Sequence, residues 1–139
     1  MMTTTIIEDE TTTEVFHFKT YKDIEKSNNV DLMIKTVLLK IGIKPSGKGF
    51  KYLCTAISLR LSDPEMYDGF LTKRLYVDVA KAHNSSPSRV ERCIRHSITS
   101  VDYTDPDICY AYLGNETQIC CYTNGDFISS ICELIKFNM

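Results

Sequence analysis

The chain has 139 residues, 43% of them apolar and 24% charged, with a net charge of −2. That is enough for one domain with a real core and too little for two full ones. No apolar run approaches the ~20 residues that span a bilayer, and no basic patch followed by an apolar block opens the chain, so neither a membrane span nor a signal peptide is expected and the protein is placed in the cytoplasm.

Met1 to Asn29 differs in composition from the rest. Two threonine triplets, Thr3 to Thr5 and Thr11 to Thr13, flank the acidic run Glu8-Asp9-Glu10. The segment reads as acidic and mobile. Val15 to Tyr21 has strand character but no partner run, and a lone strand is not stable in water. The alternative is an arm that docks through Phe16 and Phe18.

The helical domain is expected over residues 30–139. Val30, Met33, Ile34, Val37, Leu38 and Ile41 recur at helical spacing, and Gly42 ends that helix. Lys44-Pro45-Ser46-Gly47-Lys48-Gly49 has the look of a phosphate-binding loop. It follows a helix rather than a strand and lacks the Gly-Lys-Ser/Thr ending, so no nucleotide site is assigned; its two lysines suit DNA phosphates better. A second helix is expected over about Phe50 to Ser62, with Phe50, Leu53, Cys54, Ile57 and Leu61 inward. Asp63-Pro64 then breaks the chain, and Gly69 interrupts the short turn beyond it.

Thr72 to Val101 reads as helix, polar turn, helix. Leu75, Val79 and Ala82 mark the inner side of the first helix, which opens on Lys73 and Arg74. Ser86 serves as N-cap of the second helix with Pro87 at its first position; a competing start caps at Ser88 with Glu91 three residues on. At ~100° per residue, Val90, Ile94, Ile98 and Val101 fall on one side, flanked by Cys93. Ser88, Glu91, Arg92, Arg95 and Thr99 fall opposite, with Arg89 and His96 on one shoulder. Arginine forks match the O6 and N7 acceptors of guanine, and glutamate can accept from the cytosine amino group. This is the layout of a helix-turn-helix, although a basic outer face is also what any solvated amphipathic helix shows.

The charge distribution supports the DNA reading. Residues 72–99 carry six cations against two acids, and residues 32–71 six against three, whereas residues 1–31 and 100–139 are acidic. Local potential, not the total, steers a polyanion. Asp105-Pro106 opens a further short helix that Gly114 stops. Thr117 to Tyr122 is open between loop and strand. Thr123-Asn124-Gly125-Asp126 is a turn and cap before a last helix with Phe127, Ile128, Ile131, Leu134 and Ile135 inward. The fold class is all-α: a compact bundle of about six helices containing a helix-turn-helix at about 72–101.

Catalytic chemistry finds no support. No Ser-His-Asp or Cys-His constellation emerges, and Asp102, Asp105 and Asp107 read as solvated loop carboxylates. The six cysteines form no Cys-x-x-Cys pair and share no ligand spacing with His17, His83 and His96. They read as buried thiols, with no metal and no cofactor.

The segment TKRLYVDVAKAHNSSPSRVERCIRHSI resembles the DNA-binding effector domain of the stage 0 sporulation protein A family, a response regulator that starts sporulation. SRVERCIRHSI is similar to its recognition helix. The resemblance continues upstream through IGIKPSGKGFKYLCTAISL and more weakly downstream through YLGNETQICCYTNGDFISSI. It implies a non-enzymatic, sequence-specific transcription regulator of double-stranded DNA. Arg92 and Arg95 would contact guanines, and Glu91 would contact a cytosine or orient an arginine. Ser88, Arg89 and His96 would touch backbone or flanking bases, and Lys73 a phosphate. The resemblance further implies one copy per DNA box on tandem boxes. RNA polymerase is a separate candidate partner, which the resemblance itself does not supply. In the family a phosphorylatable receiver precedes this domain; residues 1–29 are no receiver, which leaves either an excised domain or a standalone member. The reading from another class is an adaptor that pairs with a full-length regulator or RNA polymerase without reading DNA.

Overall fold

The computed structural model describes residues 26–67 and 72–138. In these, six α-helices and one 3-10 turn follow in order: α1 Lys26–Lys40, α2 Lys48–Ser62, α3 Thr72–Ala82, α4 Pro87–Thr99, α5 Pro106–Leu113, the turn Ile119–Cys121, and α6 Asn124–Asn138. The described residues contain no strand. The expectations for Val15 to Tyr21 and Gly69 lie outside them. So does most of the acidic N-terminal segment, and α1 itself begins at Lys26.

Helix α2 is the centre of the packing, with α1, α3, α4 and α6 all against it. Its Phe50, Tyr52, Leu53, Ala56 and Ile57 are buried, while Cys54 and Leu61 are only half-buried. A helix with neighbours on several sides needs a broad apolar arc, so Tyr52 and Ala56 join the inward positions read from spacing. The same reason corrects α3. Leu75 and Val79 are buried as expected, but Ala82 is exposed and Ala80 is buried in its place. Because α3 packs against both α2 and α4, its inner arc is rotated so that Ala80, and not Ala82, falls inside it.

The element ends follow local chemistry. Asp105 caps α5 by accepting from the Asp107 N–H at 2.8 Å, and Pro106 sits where no donor is needed. Gly114 closes the helix at φ 79°, a left-handed conformation that glycine adopts without a Cβ clash. Residues 117–122 are neither loop nor strand throughout: Ile119 is buried in the 3-10 turn, which packs on α4. Thr104 ties the segment after α4 back to α1. Its hydroxyl donates to the Ile41 carbonyl at 3.1 Å, and its backbone N–H and carbonyl pair with the Gln118 amide at 2.8 and 2.9 Å.

Candidate nucleic-acid interface

Helix α4 starts at Ser86, whose hydroxyl accepts from the Arg89 N–H at 3.2 Å with the serine backbone extended and Pro87 next. This selects the first of the two starts that the sequence allows. Val90, Ile94 and Ile98 are buried, each worth about 1.5–3 kcal/mol of burial, and they fix which side faces out. On the outward side Ser88, Arg92, Arg95 and Thr99 are exposed and Glu91 is half-buried. Arg89 and His96 are exposed on the shoulder.

The turn before α4 has its own fastenings. Asn84 takes a positive φ of 54°, which asparagine tolerates better than most residues. The Ser85 N–H then reaches back to the Ala80 carbonyl at 2.8 Å, a helix-closing pattern that supplies a donor for a carbonyl left free at the helix end. From α2, Thr55 bonds His83 Nε2 at 2.7 Å, the Tyr52 hydroxyl donates to Ser85 Oγ at 3.2 Å, and the Tyr52 and His83 rings meet edge to face at 5.1 Å.

Two contacts hold the flanks of α4. On one flank, Gly49 of α2 packs so closely that a Cβ there would lie 1.9 Å from Ser97 Oγ and 2.5 Å from the Cys93 carbonyl oxygen. On the other, the buried Asn124 of α6 donates through Nδ2 to the Glu91 carbonyl at 3.1 Å and to the Tyr76 hydroxyl of α3 at 3.0 Å. One amide therefore joins three helices.

A family model described as "Sporulation initiation factor Spo0A C terminal" matches residues 34–135. The chain belongs to this family. The match takes in α2 to α5, most of α6, and both flank contacts. The Spo0A C-terminal domain is the DNA-binding effector domain of a sporulation transcription regulator and not an enzyme, so this chain is a DNA-binding domain of that class.

Within this Spo0A-type domain, the charged side chains are not equally free. Arg95 is ion-paired to Glu91, one helical turn earlier, while among the described residues Arg92, Arg89 and Lys73 make no ion pair. Arg74, next to Lys73 at the start of α3, is paired to Asp78 at 3.3 Å. Asp78 also accepts from the Tyr67 hydroxyl at 2.5 Å, and the Tyr67 carbonyl accepts from Arg60 at 2.7 Å. The Tyr67 bond, helped by Arg74, holds the Asp78 carboxyl below its usual range; the same bond, with burial, pushes Tyr67 up to about 12. Burial pushes the Cys54 and Cys132 thiols up to about 11, which keeps them protonated and unreactive.

Sequence reading missed Gly49 and Asn124. Gly49 lay in a motif weighed only for phosphate binding, and Asn124 read as a turn residue. Asn124→Ala is expected to cost about 1–3 kcal/mol, because the half-buried Tyr76 hydroxyl and the Glu91 carbonyl both lose a donor. Urea denaturation measures it; an unchanged midpoint would show that the bracket contributes nothing to stability.

Proposed function

We propose that α4 lies in the major groove of double-stranded DNA, with Arg92 and Arg95 on guanines. Glu91 acts chiefly by orienting Arg95, since an exposed pair one turn apart adds only about 0.3–0.5 kcal/mol to stability and its value lies in fixing where the fork points. Ser88, Arg89 and His96 contact backbone or flanking bases, and Lys73, in the first turn of α3, holds a phosphate. The observation that carries this reading is the exposure of both arginines on a helix whose opposite face is fully buried. The protein so read is a cytoplasmic transcription regulator whose helical domain, expected from residue 30, takes in α1 from Lys26. A second copy on an adjacent DNA box, which the family resemblance implies, and RNA polymerase are its further proposed partners.

Selection from a random duplex pool tests the proposal. Enrichment of a short, guanine-containing box supports it; a pool that stays random while binding persists overturns sequence reading and favours the adaptor. Lys73→Ala is expected to weaken binding to enriched and random duplexes alike and to lower the log–log salt slope by about 1. A change in sequence preference would instead place Lys73 at a base.

A further inference from the structure

The groove reading of α4 uses neither the loop Lys44–Gly47 nor the first turn of α2, although the sequence suits Lys44 and Lys48 to DNA phosphates. From Leu32 to Ser62 the chain carries six cations, Lys35, Lys40, Lys44, Lys48, Lys51 and Arg60, and no aspartate or glutamate. Lys44, Lys48 and Lys51 are exposed, and among the described residues none of them is in an ion pair. An uncompensated run of this kind creates a strong local positive potential.

Its location is set by Gly49. That residue sits against Cys93 and Ser97 with no room for a side chain, so Lys48, one Cα step or about 3.8 Å away, is anchored beside α4. Arg89, Cys93, His96 and Ser97 form an i, i+4, i+7, i+8 stripe along α4. The exposed Arg89 and His96 therefore border the part of the helix that α2 covers. Around the axis of α4 the order runs from Arg92 and Arg95, through Arg89 and His96, to the side that α2 covers, where Lys48 adjoins the contact. No aspartate or glutamate of α4 falls on that arc, and α2 carries none.

We infer that Lys44, Lys48 and Lys51 form a second DNA-backbone contact, flanking the recognition helix on its Arg89–His96 side. It takes phosphates of the same duplex and reads no base. This rests on α4 being the groove-reading helix. Phosphate contacts of this kind fix register and orientation, whereas the bases are read elsewhere.

The test uses the full chain carrying Lys44→Gln, Lys48→Gln and Lys51→Gln together, with fluorescence anisotropy against the enriched duplex and a random-sequence duplex over a range of KCl. Each lost phosphate contact removes about 0.9 from the log–log slope, so a decrease of roughly 2 to 3 is expected. Affinity for both duplexes should fall by the same factor, about tenfold or more at low salt, leaving their ratio unchanged. Circular dichroism melting checks that the fold is intact, and Lys35→Gln on α1 should move the slope less. A folded triple variant with the wild-type slope overturns the inference. So does a changed ratio, which would mean base reading. If Arg92→Ala still abolishes selectivity in that case, the groove assignment survives; if wild type shows no salt-dependent binding at all, both fall.

Discussion

Arg92→Ala and Arg95→Ala should each flatten the preference for the enriched duplex over a random one by about 1–3 kcal/mol, roughly 5- to 150-fold, while leaving the melting temperature close to wild type. Both side chains are exposed, so neither truncation opens a cavity. The two should differ in their dependence on Glu91. Arg95 is paired to it and Arg92 is not. Glu91→Ala should therefore be non-additive with Arg95→Ala and additive with Arg92→Ala in a double-mutant cycle on binding. If both arginine variants bind the enriched duplex as wild type does, α4 is not the reading element.

Gly49→Ala should be the most disruptive small substitution in the bundle. A methyl at that position meets Ser97 Oγ at 1.9 Å and the Cys93 carbonyl oxygen at 2.5 Å, and backbone cannot step aside as a flexible side chain can. Overpacking of this sort costs about 1–3 kcal/mol or more. Because the clash pushes on α4 itself, DNA affinity should fall as well as stability. Adding Ser97→Ala removes the hydroxyl but not the carbonyl clash, so it should return only part of the loss. Urea denaturation and anisotropy on the same samples separate the two effects. A Gly49→Ala protein with wild-type midpoint and affinity would mean that α2 and α4 are not in such close contact.

The helix-turn-helix was readable from residues because its signals are local. Ser86-Pro87 is a start, Val90, Ile94 and Ile98 are one face, and Asp105-Pro106 with Gly114 brackets α5. Each needs only the residues within a turn or two of it. What stayed hidden depends on partners far along the chain. The exchange of Ala82 for Ala80 follows from α3 having two neighbours, which its own periodicity does not record. Gly49 meets α4 more than forty residues later, and Asn124 reaches back to Tyr76 and Glu91. A glycine in a polar loop and an asparagine before Gly125 look like turn chemistry until the tertiary contact is known. The commitment of Arg74 to Asp78 was in principle visible as an i, i+4 pair; the added bond from Tyr67 was not.

The bracing of α4 from both flanks separates the outward positions proposed to read bases from those that hold the helix. Gly49 and Asn124 grip it through backbone carbonyls and Ser97, all away from positions 88, 92 and 95. Substitutions at those outward positions can redirect the domain to another operator without loosening its seat. The α3–α4 hairpin grafted onto a foreign scaffold, by contrast, leaves its struts behind and should lose the orientation on which any such retargeting relies.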